Sequence, residues 1–427
     1  MKIWILNHVA LKPSETGITR HYDIANELVK QKHEVTIFAS SFLAYRYVFR
    51  NRRKTNYTEN VNGVLFEWMW TLPYKGNGIL RVFNMISYFF MALWRGLLSK
   101  EKPDAVVGSS VHLFACLAAY VLSRFKKATY IVEIRDLWPQ TLIDLGKMSK
   151  RHPAVLLFGM LEKFVCRRAD QIIVTLPGAV DYLRNLGIAE DKIHVIPNGI
   201  VMNREKEKSR PSPLAQSLSL LKKKHGKLAM YVGSHGDANA LHTVIESAKF
   251  LSESEVALIL IGDGPMKESL QKAAKAYSHV YFFDSIPKKA VLSTLCLADV
   301  LLISMRDAPL YQYGMSLNKL NDYMLCGKPI LFAGNVANDI VTEAKAGLTI
   351  APERPGAFAD GLRSLLSLSE EELQEIAATS YAYVNDHHNI ERLAQRFLAI
   401  CSYKEAYPED EEAVPCQLSI SKWGSRQ

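Results

Sequence analysis

The residues best suited to chemistry lie in one stretch, 313–331, where a polar turn leads into a short helix pattern and a buried strand. Lys319 and Asp322 are three residues apart, which places them on one face near the start of the predicted helix. The first amides of a helix are unpaired and its dipole is positive there, so this helix start can bind an anion. Lys319 would add a charge for a phosphate, and Asp322 would accept hydrogen bonds from sugar or ribose hydroxyls. Taken alone, the pattern also fits a solvated surface helix that ends at Gly327.

A second candidate is the segment 133–140, where a buried strand pattern ends abruptly in charge. Glu133, Arg135 and Asp136 would stand at the carboxyl edge of a sheet, where charge is costly unless it is paired or used. One interpretation is a local ion network among these side chains. The other is electrostatic control of a polar substrate, which makes all three candidate catalytic residues.

Glycine-containing turns follow three predicted strands and would allow a ligand to approach the backbone. Gly17 lies in the first turn, segment 233–236 in the second, and Gly262 with Gly264 in the third. Their amides could contact phosphate, although an ordinary strand-to-helix turn explains each of them as well. The chain has no G-x-G-x-x-G, P-loop or G-x-S-x-G motif and no spacing typical of metal ligands. The sequence therefore predicts neither a metal nor a cofactor.

The composition is typical of a globular protein, and its positive charge predicts anionic partners. Its 427 residues predict two domains, and its formal charge of +9 favours phosphates, nucleic acid or an acidic membrane surface. Six cysteines without a C-x-x-C pair predict reduced thiols in a cytosolic protein. The opening residues fit a buried strand better than a signal peptide.

Strand and helix patterns alternate along both halves, which predicts parallel βαβ units in a doubly wound α/β fold. The predicted divisions are a first domain at 1–203, a linker at 204–222, a second domain at 223–390, a helix at 391–405 that packs back on the first domain, and a disordered acidic tail at 406–427.

Two features of the first half predict a membrane-facing surface. Segment 79–98 is long enough to span a bilayer, but Arg81 and Arg95 interrupt it, so an amphipathic helix that is buried or lies on a membrane is favoured. Segment 45–54 interleaves basic and aromatic residues. This composition is typical of a nucleic-acid or membrane patch, and a solvated loop fits it equally.

Together these motifs resemble the family-4 glycosyltransferases of the GT-B class, and more narrowly bacterial surface-polysaccharide N-acetyl-fucosaminyl transferases. The resemblance rests on the order and spacing of segments 17–23, 135–140, 195–199, 233–236, 262–265 and 318–329. It implies two Rossmann-like domains facing a cleft, with a nucleotide-diphosphate sugar held mainly by the second domain and an acceptor approached from the first. It also implies sugar transfer without a metal and with retention of anomeric configuration.

The resemblance further implies site residues. Asp322 matches the acid that binds ribose, and Gly17 matches the glycine near the diphosphate. The implied donor-binding set is Gly17, Arg20, Gly233, Ser234, His235, Gly236, Gly262, Gly264, Ser316, Asn318, Lys319, Leu320 and Asp322.

The sequence departs from the family pattern at three places. Gly314 stands where the family has a Glu eight residues before Asp322, and Arg135 replaces a common His. Ser234 and Asn239 replace an Arg and a Lys. The diphosphate must then be neutralised by other cations, for which the candidates are Lys319, Arg20 and Arg135.

The predicted donor is a UDP-linked deoxyaminosugar, and the predicted acceptor is a growing surface polysaccharide, such as O-antigen or capsule, on polyprenyl diphosphate. Fixed cations and helix-start amides would stabilise the leaving diphosphate, and no separate base is predicted. Asp136 would position hydroxyl groups. The protein would be cytoplasmic or peripheral on the inner membrane face.

Two alternatives stay open: a nucleotide-sugar 2-epimerase and a non-catalytic nucleotide-sugar-binding protein. A nucleic-acid binder, suggested only by charge, is disfavoured.

Overall fold

The computed structural model describes residues 1–403 except 16, 44, 45, 52, 77, 145, 147 and 203–212. The predicted acidic tail, Tyr45 and Arg52 of the basic segment, and residues 204–212 of the predicted linker lie outside the described residues. The fold is α/β, with one parallel-type sheet in each half of the chain.

The first sheet has eight strands. Its inner strands are short, rich in Val and Ile, and buried on both faces, as is typical of parallel sheets. The strands of the first half are β1 (Lys2–Leu6), β2 (Glu34–Ser40), β3 (Phe42–Leu43), β4 (Val48–Phe49), β5 (Tyr57–Val61), β6 (Val64–Met69), β7 (Ala105–Ser109), β8 (Thr129–Ile134), β9 (Gln171–Val174) and β10 (Ile193–Val195). The sheet order is β10-β9-β8-β7-β1-β2-β6-β5. Only β5 runs antiparallel, while β3 and β4 form a separate hairpin.

Helices cover both faces of this sheet. They are α1 (Arg20–Lys30), α2 (Ile79–Leu98), α3 (Leu113–Lys126), α4 (Gln140–Asp144), α5 (Pro153–Arg167) and α6 (Ala179–Asn185), with a 3-10 turn at Glu190–Lys192. Helices α2, α3 and α5 lie side by side on one face, since α3 contacts both of the others.

The second sheet is entirely parallel. Its strands are β11 (Leu228–Val232), β12 (Ala257–Ile261), β13 (Val280–Phe283), β14 (Val300–Ser304), β15 (Ile330–Ala333) and β16 (Gly347–Ile350), in the order β13-β12-β11-β14-β15-β16. The helices are α7 (Pro213–His225), α8 (Leu241–Ser247), α9 (Lys267–Ala274), α10 (Val291–Leu295), α11 (Asn318–Cys326), α12 (Ile340–Glu343), α13 (Pro355–Leu366), α14 (Glu370–His387) and α15 (Ile390–Cys401). Further 3-10 turns are Asp237–Asn239, Ala248–Phe250, Lys288–Ala290 and Pro309–Tyr313.

The second part of the predicted linker is helical, because residues from Pro213 onward form α7 and bury Leu218 in the second core. The domain bounds stay predictions. The apolar spacing of Leu214, Leu218 and Leu221 was hidden among Ser and Lys residues.

The chain returns to the first domain at its end. α14 packs on α11, and α15 packs on α1, where Phe397 joins the core of the first sheet. The chain crosses from the first domain to the second after Ile200 and crosses back near Ile390. These two crossings lie side by side, because Ile200 N donates to His388 O at 2.8 Å and Ile390 N donates to Ile200 O at 3.0 Å.

Loops at the carboxyl ends of the two sheets face each other across a cleft. Gly178 N, after β9, donates to Tyr313 O, before α11, at 3.0 Å. Lys288 Nζ, after β13, donates to Thr19 Oγ1, after β1, at 2.7 Å. Both carboxyl edges therefore border the candidate site.

Candidate active site

Lys319 is a half-buried lysine at the start of α11 whose ammonium group points into the protein. Its Nζ donates to Tyr231 Oη at 2.9 Å and to Asn239 Oδ1 at 2.8 Å, and it lies 4.4 Å from the centroid of the Tyr231 ring. Burial lowers the pKa of Lys319 to about 7. The N-cap residue, Leu317, offers no side-chain oxygen, so no side chain caps the first amides of α11. A cation and helix-start amides thus occur together, as expected for an anion site.

The contact with Asn239 explains one departure from the family pattern. Asn239 stands at the position of the family lysine, and its amide oxygen holds the ammonium of Lys319 instead. The cation is therefore supplied from α11 and not from the loop after β11.

Gly262 and Gly264 are required by backbone packing. A Cβ on Gly262 would lie 1.9 Å from Gly233 O, and one on Gly264 would lie 2.6 Å from His235 O. Both glycines also have positive φ, +150° and +157°. They let the loop after β12 stack on the loop after β11, so they shape the site by positioning Gly233 and its neighbours.

His235 is buried inside that loop. Neither ring nitrogen has a hydrogen-bond partner among the described residues, and burial lowers the pKa of the imidazole, which favours the neutral form. Ser234 and Gly236 flank it, and Ser234 O accepts from Tyr231 Oη at 2.7 Å. Of the predicted donor contacts in this loop, Gly233 lies close to the Lys319 ammonium, since a Cβ added there would be 3.3 Å from Lys319 Nζ.

The remaining predicted donor residues of α11 have different environments. Leu320 is 1% exposed and its side chain belongs to the core, so only its backbone could contact the donor, and that contact stays a prediction. Ser316 Oγ accepts from Asn198 N at 3.0 Å, which ties the start of α11 to the crossing between domains. Asn318 and Asp322 are half-buried near Lys319, and their donor contacts stay predictions.

Gly314 has no room for the family's glutamate. It has φ +92°, and a Cβ would lie 2.6 Å from Asn338 Oδ1. That oxygen accepts from Met315 N at 2.6 Å. An open depression of about 510 Å³ adjoins this turn, and its polar lining includes Asp307, Gln312 and Asn335.

Glu133 and Arg20 form a buried ion pair, 2.8 Å from Arg20 Nε to Glu133 Oε1, and His21 Nε2 contacts the other carboxylate oxygen. Arg20 also donates to the carbonyls of Ile196, at 2.9 Å, and Pro197. Burial opposes ionisation, but His21 and Arg20 together hold the pKa of Glu133 well below its usual value. Glu133 thus belongs to an ion network, but with Arg20 and His21 and not with Arg135 and Asp136 as predicted. Its catalytic role stays a prediction. Arg20 is 3% exposed and donates to three acceptors within the protein, so a further contact with a diphosphate stays a prediction.

Arg135 and Asp136 remain at the cleft edge after β8. Ser110 Oγ accepts from Arg135 N at 3.1 Å and donates to Asp136 O at 3.3 Å, which fixes the backbone of both. The Arg135 guanidinium has no hydrogen-bond acceptor within the described part of the chain. Asp136 is exposed, although crowding by protein atoms raises the pKa of its carboxyl. These two side chains are therefore available to a substrate. Gly17 is also exposed, and with φ +138° it shapes the turn after β1.

A histidine pair that sequence reasoning missed lies on the same edge. His8 Nδ1 is 2.7 Å from His112 Nε2, and Ala115 N donates to His112 Nδ1 at 3.3 Å. His112 must then carry its proton on Nε2 and donate to His8, which leaves the proton of His8 on its Nε2. Burial, with the charge of Arg81, lowers the pKa of His8 to about 3. His8 is thus a neutral hydrogen-bond donor. Both histidines follow predicted strand ends, but no spacing links them in sequence.

Among residues 1–403, with the gaps stated above, no group of three His, Cys, Asp or Glu side chains could hold a metal ion.

One face of the first domain exposes large apolar side chains on neighbouring helices. We call it the apolar face; it comprises Ile79, Leu80, Phe83, Phe90, Trp94, Leu97 and Leu98 of α2, Phe125 of α3, and Leu156, Leu157, Met160 and Phe164 of α5. No described helix is long and apolar enough to cross a membrane. Arg50 of the basic segment is not at a free surface, because its side chain pairs with Glu15 at 2.8 Å and covers the Trp68 ring at 4.0 Å.

Both halves of the chain match known families. Residues 16–199 match the Glycosyl transferase 4-like domain, and residues 226–368 match Glycosyl transferases group 1. The putative colanic acid biosynthesis glycosyl transferase WcaI of Escherichia coli (strain K12) is 21% identical over 382 residues, which cover 86% of this chain and 93% of WcaI. The probable glycosyltransferase WbjE of Pseudomonas aeruginosa is 21% identical over 270 residues, covering 62% of this chain and 66% of WbjE.

Solved structures share the fold. Sucrose-phosphate synthase from Thermosynechococcus elongatus superposes with a TM-score of 0.73 at 15% identity, covering 93% of this chain and 98% of that one. HepE from Anabaena, solved with UDP-glucose, gives 0.63 at 14% identity, with 93% and 98% covered. WaaG, a glycosyltransferase involved in lipopolysaccharide biosynthesis, gives 0.63 at 16% identity, with 94% and 99% covered. At these identities the likeness shows the fold alone.

Proposed function

We propose that this chain, which belongs to the family-4 glycosyltransferases of the GT-B fold, transfers a sugar from a UDP-linked deoxyaminosugar to a polyprenyl-diphosphate-linked surface polysaccharide, with retention of configuration. The observation that carries the proposal is the buried ammonium of Lys319 beside the uncapped amides of α11. A buried cation with neutral partners favours binding of an anion, and a diphosphate is the anion that a nucleotide sugar supplies.

In this proposal the leaving diphosphate binds between the two domains. Lys319 and the first amides of α11 stabilise the charge that develops when the bond from sugar to phosphate breaks. Arg135, from the other side of the cleft, supplies a second cation. The leaving phosphate accepts the proton of the attacking hydroxyl, and Asp136 positions that hydroxyl.

The sugar would be recognised at the depression beside Gly314. Asp307, Gln312 and Asn335 line it with carboxylate and amide groups, which bind sugar hydroxyls and an acetamido group. This arrangement would replace the family's glutamate.

The acceptor would approach over the first domain. His8 and Asp136 stand at the carboxyl edge of the first sheet, and the charge of Arg81, on α2, acts on both. The same helix contributes to the apolar face, so an acceptor carried in a membrane would have its lipid near α2 and its sugar near the cleft.

A thermal-shift panel of UDP-, GDP- and dTDP-linked sugars tests the proposal. A UDP-linked N-acetylated deoxysugar is expected to give the largest shift, since a ligand at 100 times its Kd stabilises by about 2.7 kcal/mol. The matched control is Lys319→Met, which should lose the shift. A flat response of the unmodified protein to every nucleotide sugar would contradict the proposal.

Assays with the same UDP-sugar then distinguish a transferase from an epimerase and from a binding protein. Release of UDP that depends on a polyprenyl-diphosphate-linked glycan supports transfer. An epimerised sugar formed from donor alone indicates an epimerase, and tight binding with no UDP release on any lipid-linked glycan indicates a binding protein.

A further inference from the structure

Two cysteines form a close thiol pair at the end of α11 that is remote from Lys319. Cys296 follows α10, Cys326 is the last residue of α11, and their Sγ atoms are 3.0 Å apart. The sulfur atoms of a disulfide are about 2.05 Å apart, so an approach of about 1 Å would allow a bond. Helices α10 and α11 are packed together, so both backbones are already adjacent.

The two thiols differ in accessibility. Cys296 is exposed, and Cys326 is half-buried. The other described cysteines, Cys116, Cys166 and Cys401, are buried, and burial raises the pKa of each of their thiols. Since thiol exchange requires an accessible thiolate, a soluble disulfide would react first at Cys296 among the described cysteines.

We propose that Cys296 and Cys326 are a reversible modification site for low-molecular-weight disulfides such as oxidised glutathione. The Cys296 thiolate attacks one sulfur of the small disulfide, forms a mixed disulfide and releases one thiol. The Cys326 thiolate then attacks Cys296 Sγ, forms the intramolecular disulfide and releases the second thiol. The two protons lost by the protein thiols go to the two released thiols, and the small disulfide is the oxidant that is reduced.

The new bond would close a covalent loop over residues 296–326. That loop contains β14, the turn at Gly314 and all of α11, so it encloses the segment that presents Lys319. The bond lies at the opposite end of α11 from Lys319, and the sulfur atoms need little movement. Nucleotide binding is therefore retained, while separation of α10 from α11 is suppressed.

Mass spectrometry of the full chain tests the proposal. The background variant Cys416→Ser removes a cysteine that lies outside the described residues. After incubation with oxidised glutathione and alkylation of remaining thiols, peptides containing Cys296 and Cys326 are expected to be linked. The variant C326S should instead retain one glutathione on Cys296, and C296S should form no linkage.

Stability supplies a second measurement. The linked protein should melt about 4–10 °C higher than the reduced protein, and reductant should abolish the difference. Alkylation of both cysteines after incubation would overturn the proposal. So would a glutathione adduct that persists on Cys296 while Cys326 stays reduced.

Discussion

Lys319 is a half-buried cation whose ammonium has only neutral partners among the described residues. Tyr231 and Asn239 accept its hydrogen bonds, and no carboxylate forms an ion pair with it among the described residues. Burial of an ammonium without an opposite charge destabilises the charged form, which is why the pKa of Lys319 falls to about 7. A bound diphosphate would supply the missing negative charge, so proton uptake and donor binding should be linked.

Donor affinity should therefore decrease as pH rises. Above pH 7 the free protein carries mostly neutral Lys319, and binding must recover the proton. The affinity for the UDP-sugar should fall about fivefold from pH 7 to 8 and approach tenfold per unit above that. Isothermal titration calorimetry between pH 6 and 8.5 measures this dependence. In Lys319→Arg the charge persists, so the curve should be flat; a wild-type curve that is equally flat would contradict the role of Lys319.

Glu162 should make the free energy of unfolding depend on pH. It is buried on α5 and accepts from Tyr182 Oη at 2.7 Å, and burial raises its pKa to about 8 from the 4.5 of an unfolded chain. Between these values the folded protein holds a proton that the unfolded chain has lost. The free energy of unfolding should thus decrease as pH rises through this window, by up to ~1.4 kcal/mol per unit.

Glu162→Gln should flatten that decrease, because the amide cannot ionise but can still accept from Tyr182. Thermal melts at pH 6 and 8.5 test it, with the exposed Glu246→Gln as control. An unchanged difference in Tm between the two pH values in Glu162→Gln would show that another group titrates.

The turn before α11 has no room for the family's glutamate at position 314. Gly314→Glu should destabilise by about 1–3 kcal/mol, because its φ is +92° and its Cβ would displace the Asn338 amide from Met315 N. It should not improve donor affinity. Gly76→Glu is the matched control, since Gly76 has φ +75° but a Cβ added there would meet no atom within 4 Å. A variant Gly314→Glu as stable as wild type and tighter for donor would show that the turn can rearrange.

The alternation of strands and helices was predictable because each buried strand is a short apolar run and most helices have a one-sided pattern. Strand β5 was missed because it is a polar edge strand, although Asn62-Gly63 between β5 and β6 is a typical hairpin turn. The start of α7 was missed because its leucines lie among Ser and Lys residues.

The candidate site was predictable on one side of the cleft. The proximity of Lys319 to the loop after β11 agrees with the sequence pattern, in which glycines, a lysine and a helix start occur together, while their role in donor binding stays a prediction. Arg20 and Glu133 are 113 residues apart, and only the pairing of strands brings them into contact. The pair His8 and His112 depends on the same long-range contact between β1 and β7.

Hydrogen bonds join the first crossing between the domains, at Asn198, to α11 and the residues before it. Asn198 Nδ2 donates to Ser316 O at 2.9 Å, and Asn321 Nδ2 donates to Asn198 O at 3.0 Å. His388, at the second crossing, contacts the same carbonyl at 2.8 Å. Any rotation of one domain against the other must therefore act on α11, where the donor is proposed to bind.

The apolar face belongs to the domain that would receive the acceptor. Phe83, Phe90 and Trp94 are 50%, 62% and 50% exposed, and their spacing places them on one side of α2. Exposed Arg124, Lys127, Lys163, Arg167 and Arg168 on α5 and at the end of α3 add positive charge beside it. A large apolar surface with basic residues at its border fits an anionic membrane surface better than water.

Flotation with liposomes tests this surface. The unmodified protein should float with vesicles containing phosphatidylglycerol and much less with phosphatidylcholine alone. The double change Phe90→Ser and Trp94→Ser should reduce binding at least about tenfold, because two large side chains no longer enter the bilayer. Leu220→Ser on α7 is the control, since Leu220 is 66% exposed but lies on the second domain. If the double variant keeps its thermal shift with the UDP-sugar but loses flotation, the apolar face binds membrane independently of the donor site; equal flotation of all three proteins would exclude it.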